Sequence, residues 1–329
     1  MALNASGPIS IAGTTVGQSI QIELNGDGTT TMSLNDASVR TLADVASGEI
    51  IMPTNFYGKS NRVALSVTYS TNTTNATVAI ASISGYAAGT SDITVTINSG
   101  IYVYSTSTGN SGLTFTGGTA GDTLTIVNNG FILGRGGSGS SGAGGASTGG
   151  PALTLSYPAT INNTNPAAYV AGGGGGGGPG PGRAGGGGGA GGGDGGSSAS
   201  GAAGGGGGGV GASGSPGSGS PAGSGGGAGG GGGGYSNNPK GPGPRGGGGG
   251  GGRILPGSGG GGGGGSYSGG AGGSGSASGG GGTPIGSGGG GGWGASGGKG
   301  SAGGKAVTLA GNTVTWTSGD TARVFGAVS

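Results

Sequence analysis

Apolar and polar residues alternate through most of the first 133 positions and again from residue 306, while between them the alternation dissolves into glycine. In the first sixty residues, ISIAGTTVG and SIQIEL read as strands by alternation, and NGDG at 25–28 is a turn signal. SLNDASVRTLADVASG predicts a short helix: Asn35 or Asp36 can cap it, Val39, Leu42 and Val45 recur at a spacing of three, and Gly48 can end it. EIIMPTNFYGKS then reads as an extended tail. From residue 61 to 133 the runs VALSVTYS, ATVAIASIS, DITVTIN, GIYVYS, LTFTG and DTLTIVNNGFIL are short and rich in Val, Ile and Thr, with Gly, Asn and Ser between them. Their spacing of roughly ten residues suits a β-sandwich or a coiled β-layer. KAVTLAGNTVTWTSGDTARVFGAVS regains alternation through Val307, Leu309, Val314, Trp316 and Val324. The expected organisation is a small module over 1–60, an all-β region over 61–133, a glycine field over 134–305, and a C-terminal β segment over 306–329 that packs back on the β region.

Glycine supplies 106 of the 329 residues, yet it is clumped rather than set at every third position, which excludes collagen. The pure runs fall at 172–178, 204–209, 229–234, 246–252 and 259–265, and the islands between them carry Pro, Tyr, Trp, Ile and Leu. A solvated linker has no use for such islands, and a structureless stretch of this length is rare inside a folded chain. The alternative is a bundle of extended polyglycine II helices, with three residues per turn and every N–H and C=O directed outward to a neighbour. Ordering a residue costs about 1–2 kcal/mol of backbone entropy, with glycine near the top of that range. An intersegment hydrogen bond returns about 0.5–1.5 kcal/mol and a Cα–H···O contact about 0.5–1 kcal/mol. The two sides nearly balance, so the bundle needs β-structure to anchor it, and β-like sequence flanks it on both sides. The fold expected is therefore mostly β plus a polyglycine II helix bundle.

Ten glycine-rich segments can be counted, 134–150, 171–178, 185–193, 204–209, 223–234, 246–252, 259–265, 269–282, 286–292 and 297–304, with LTLSYPATINNTNPAAY read as the loop between the first two. If neighbours run antiparallel, their connections alternate between two ends of the bundle. Tyr157, Tyr169, Tyr235, Tyr267 and Trp293 then fall at one end, with Asn237, Asn238 and Lys240 beside them, while most Pro-rich turns gather at the other. Rigid aromatic side chains suit a recognition surface, so these eight residues are the candidate binding set.

Cysteine and histidine are both absent, which removes disulfides, thiolate nucleophiles, imidazole bases and the usual zinc sites. Nothing implies a cofactor or metal, and the scattered carboxylates do not suggest an enzyme. The start of the chain has no basic and apolar leader pattern, and no run of eighteen apolar residues predicts membrane insertion. Seven acids face three bases up to residue 133, whereas Arg135, Arg183, Lys240, Arg245, Arg253, Lys299 and Lys305 face only Asp194 in the glycine field. That excess of positive charge serves solubility or an anionic partner; a nucleic-acid partner is not expected.

LTIVNNGFILGRGGSGSSGAGG at 124–145, a form repeated by INNTNPAAYVAGGGGGGG at 161–178, resembles the junction of β-structure and glycine helices in the tail-fibre tip adhesins of T-even-like bacteriophages. The resemblance implies a virion protein, made in the host cytoplasm, whose loops bind a host outer-membrane protein or surface glycan. SLNDASVRTLADVASGEIIMPTNFYGKS resembles a small module common in phage tail proteins, which implies attachment to other tail proteins through residues 1–60. An ice-binding or structural glycine-rich protein is the alternative.

Overall fold

The computed structural model describes residues 2–141, 145–179, 188–196, 203–210, 235–236, 245–246, 250–251, 288–317 and 321–329. It divides into two compact units. The first comprises Met1–Leu65, Ile83–Asp92 and Thr119–Asp122, and the second Ser66–Ser82, Ile93–Gly118 and Thr123–Ser329.

Leu3, Ile20, Val39, Leu42 and Phe56 form the core of the first unit. SIQIEL departs from its expected strand: Ile20–Glu23 is a helical turn, α1, capped by the Ser19 hydroxyl, which accepts from the Ile22 N–H at 3.3 Å. Its buried residues are the polar Gln21 and Glu23 as well as Ile20. Gln21 donates to the Thr30 carbonyl, and Glu23 accepts from the Ser60 hydroxyl at 3.1 Å and the Asn61 N–H at 2.9 Å. The predicted helix is present as α2 (Ala37–Ala43), with Asp36 at its N-cap and Val39 and Leu42 buried. It stops at Asp44 (φ 60°) rather than at Gly48, since an aspartate tolerates the left-handed region. The segment read as an extended tail contains a 3-10 turn, Thr54–Phe56, that buries Phe56. At the end of this unit Arg62 donates to Asp92 at 2.8 Å and to the carbonyls of Gly121 and Ser91. Asp122 accepts from Tyr86, Thr119 and Ser91.

Strands wind through five successive coils. The first holds β1 (Val63–Tyr69), β2 (Thr73–Thr74) and β3 (Ala76–Ala79); the second holds β4 (Ser91–Ile97), β5 (Tyr102–Tyr104) and β6 (Leu113–Thr116). The third holds β7 (Thr123–Asn128), β8 (Phe131–Leu133) and β9 (Leu153–Thr154). The fourth begins with β10 (Ala159–Asn162) and β11 (Tyr169–Ala171), carries a hairpin of β12 (Tyr235–Ser236) and β13 (Arg245–Gly246), and ends with β14 (Val307–Thr308). The last coil holds β15 (Val314–Trp316) and β16 (Val324–Phe325).

Like strands of successive coils stack into three sheets, ordered β1-β4-β7-β10-β15, β2-β5-β8-β11-β16 and β3-β6-β9-β14. The second and third sheets pair in parallel from β2 to β16 and from β3 to β14, as do β7, β10 and β15 in the first. This is a three-sided β-solenoid, which resolves the choice between sandwich and coiled layer. Alternate residues point inward, so Val95, Val103, Phe115, Ile126, Ile132 and Ile161 are fully buried. At the bend after the first sheet, Asn128 donates to Asn163 Oδ1 at 2.9 Å and to the Tyr169 carbonyl at 3.1 Å, linking two coils. Residues 153–171, read from the sequence as a loop of the glycine module, instead carry β9, β10 and β11.

The corner between the second and third sheets changes from coil to coil. It is Asn75 alone in the first coil, 105–112 in the second, 134–152 in the third and 172–306 in the fourth. The glycine-rich chain leaves the solenoid at this corner and no other.

Candidate functional site

Buried Gly172 to Gly178, directly after β11, is the best-surrounded strand of glycine among the described residues. Its backbone partners repeat every third residue. The carbonyls of Gly172, Gly175 and Gly178 accept from Gly294, Gly291 and Gly288. Those of Gly173 and Gly176 accept from Gly304 and Ser301, and those of Gly174 and Gly177 from Gly137 and Ser140. The N–H groups of Gly173 and Gly176 donate to Gly150 and Ser147, and Gly174 donates to Ala190. All of these bonds lie between 2.7 and 3.0 Å. A Cβ on Gly173, Gly174, Gly175, Gly176, Gly177 or Gly178 would land on the carbonyl oxygen of Arg135, Gly291, Ser301, Ser138, Gly288 or Lys299 respectively. These glycines are required by close backbone approach on every side, not by a special φ.

The same bonds fix the direction of each segment. Residues 134–141 run with 172–178, away from the solenoid. Residues 145–150, 288–294 and 300–304 run back toward it. Two stretches read as single segments are therefore bent. The stretch 134–150 doubles back, with Ser147 donating to Ser138 and Gly150 to Arg135. The stretch 185–193 turns at Ala190–Gly192, where Gly191 and Gly192 adopt φ 101° and 82°. A glycine makes that turn without strain and without any marker residue.

Each fold-back changes which end a later connection occupies, and the alternation of ends expected from the sequence does not hold. Ala190–Gly192, Val210 and Trp293–Ser296 lie at the solenoid end. Ser141, Gly145, Pro179 and Lys299, all exposed, lie at the far end. Half-buried Arg135 and exposed Asp194 approach within 3.7 Å as an ion pair.

Of the eight predicted binding residues, the three with described side chains, Tyr157, Tyr169 and Trp293, are not brought to one surface. Trp293 is 0% exposed and packs with Phe131, Leu133, Ala171 and Ala190, where the glycine module meets the outward side of the second sheet. It is a core residue and not a displayed one; its Nε1 has no hydrogen-bond partner among the described residues. Tyr169 belongs to the solenoid, in a stacked column that runs Tyr102, Phe131, Tyr169, Phe325 with ring centroids 4.3, 5.7 and 5.9 Å apart. Tyr157 lies half-buried between β9 and β10, its ring over Gly118, where a Cβ would collide with it. Tyr235 opens the β12–β13 hairpin, in which Tyr235 pairs with Gly246 and Ser236 with Arg245. Asn237, Asn238, Lys240 and Tyr267 lie outside the described residues. Sequence reading missed Ala190 and Val210 as packing residues; a single apolar residue in a glycine run was the available signal.

No curated protein matches the chain. Among solved structures, the gp37-gp38 adhesin tip complex of the bacteriophage S16 long tail fiber is similar to it, at 20% identity over 97% of this chain and 100% of that one, with a TM-score of 0.43. The family model described as phage tail fibre adhesin Gp38 matches residues 62–241, from the start of the solenoid into the glycine module and over more than half of the chain. The chain belongs to the Gp38 family of phage tail fibre adhesins.

Proposed function

We propose that this adhesin recognises a receptor on the host surface, an outer-membrane protein or a glycan, through loops at the far end of the glycine module. Membership of the family implies a place in the tail of the virion. One observation carries the reading: described segments on either side of 142–144 and of 180–187 run in opposite directions and have their far ends opposite the solenoid, as does the turn at Lys299–Gly300. Separate loops thereby share one surface, and their contacts can act together. Tyr235, Asn237, Asn238, Lys240 and Tyr267 remain the loop side chains best suited to contact, and the β12–β13 pairing supports a tied base for 237–244. The segments themselves are read as polyglycine II helices, since a partner that recurs every third residue is what three residues per turn requires. Residues 1–60 are read as the attachment module to other tail proteins; they have a core of their own and precede the family match.

Adsorption to host cells tests the reading. Replacing 180–187 and 237–244 by serine–glycine sequence of equal length should lower adsorption by about tenfold or more, the loss of roughly 1.4 kcal/mol of binding, with melting unchanged. Ser296→Ala at the solenoid end should leave adsorption alone. Adsorption that survives both loop replacements and fails in Ser296→Ala would reverse the assignment of ends.

A further inference from the structure

The outward side of the third sheet carries a column of threonines, Thr77, Thr114, Thr154 and Thr308, each paired with the next from coil to coil. Beside the column the corner 105–112 bulges outward. A cleft of ≈ 400 Å³ lies there, lined by Asn75, Thr77, Asn110, Ser111, Thr114 and Thr154.

Part of the lining is held in place by its own hydrogen bonds. The Ser111 and Thr154 hydroxyls are 2.6 Å apart, and Asn75 accepts from the Thr106 N–H at 3.0 Å while donating to its hydroxyl at 2.7 Å. The side chains of Thr77, Asn110 and Thr114 have no hydrogen-bond partner among the described residues, and Thr77 and Asn110 are exposed. A fixed frame thus presents two hydroxyls and an amide that are free to bond.

We propose that this cleft binds one neutral sugar ring, at a site separate from the receptor loops. The described lining holds hydroxyls, amides and glycine but no charged side chain, so an ion would find no counter-charge. An apolar ligand would leave the hydroxyls and the amide desolvated without partners. Hydroxyls on neighbouring strands stand roughly 4.7–4.9 Å apart, a span that opposite hydroxyls of a pyranose ring can bridge. Asn110 supplies both a donor and an acceptor for a third ring substituent. With no aromatic platform in the cleft, the affinity expected is weak, with a Kd of about 1–10 mM.

The methyl glycosides of glucose, galactose, mannose and N-acetylglucosamine are titrated into the full chain while the Asn110 side-chain amide is followed by NMR. At least one should bind in the stated range. Thr114→Val and Asn110→Ala should each weaken it by about tenfold with melting unchanged; threonine and valine have the same shape, so the first variant keeps the fold. No response to any glycoside at about 100 mM, or binding that survives both substitutions, overturns the proposal. Core oligosaccharide freed from bacterial lipopolysaccharide is titrated in parallel. Tighter binding there than to the best glycoside assigns the cleft to a cell-surface glycan, and weaker binding to a free sugar. Neither substitution touches the loops exchanged in the adsorption test, so the two readings fail separately.

Discussion

Gly176→Ala puts one methyl group where the structure has no room for it. Gly176 donates to Ser147 and accepts from Ser301, both at 3.0 Å, and its absent Cβ would fall on the carbonyl of Ser138. The obstacle is backbone on both sides, so no rotamer change relieves it. Residues 134–141 and 172–178 must move apart, and they are joined by the bonds from Gly137 to Gly174 and from Ser140 to Gly177. Four hydrogen bonds are then at risk. Each is worth about 0.5–1.5 kcal/mol, and more where a buried group is left without a partner. Against this, alanine restricts the unfolded chain and returns about 0.4–1 kcal/mol. The net loss expected is about 2–5 kcal/mol, or a fall in Tm of about 5–15 °C. Gly209→Ala is the matched control, because among the described residues its Cβ would meet only the Gly192 Cα at 4.0 Å. It should melt at or slightly above the wild-type temperature. Thermal denaturation of the two purified variants decides the matter: a Gly176→Ala protein melting within about 1 °C of wild type would show that the segments are not packed as described.

Trp293→Ala should cost about 3–5 kcal/mol of stability, measured by denaturant unfolding, because it empties the space between the glycine module and the second sheet. Asn128→Ala should cost about 2–4 kcal/mol in the same assay, since it strands the Asn163 and Tyr169 oxygens and the Gly130 N–H. Two carboxylates should make the first unit sensitive to acid. The N–H groups of Thr29 and Thr30 lower the Asp27 pKa to about 2. Burial pushes the Asp122 carboxyl up, but hydrogen bonds from Thr119, Tyr86 and Ser91 outweigh it and hold the pKa below the usual 3.8. A depressed carboxylate contributes stability above its unfolded pKa and loses it as pH falls through the folded one. Stability should therefore decline below about pH 4, and Asp122→Asn should flatten that decline in an acid titration followed by circular dichroism.

The longer strands of the solenoid were legible because they bury alternate residues, as Ser91–Ile97 does along its whole length. Their closure into coils was not, since a sandwich and a coil place turns at the same spacing. Residues 153–171 escaped notice as strands because β9 has only two residues and β11 three, too few to show a period, and both border glycine-rich runs. The likeness between 124–145 and 161–178 was the better guide: they are successive coils, each turning into glycine at the same corner. Inside the glycine field the failure was physical. Turns elsewhere are marked by Pro, Asn or Gly among other residues, but at Gly191 and Gly192 the turn has the same composition as the rods it joins. Trp293 misled for a related reason. Glycine rods offer no side chains to fill a gap against a sheet, so the large residue between them turns inward to do it.

The corner that grows from Asn75 to the whole of 172–306 behaves as a socket. The strands that bracket it, β11 and β14, are held in register by β8 and β9 of the coil before, so the solenoid closes whatever is threaded between them. Lengthening such a connection is cheap, about 0.6 kcal/mol for each doubling. The insert can therefore be rewritten, lengthened or exchanged as a cassette, while the scaffold that carries it stays under constraint from its own ladder of coils.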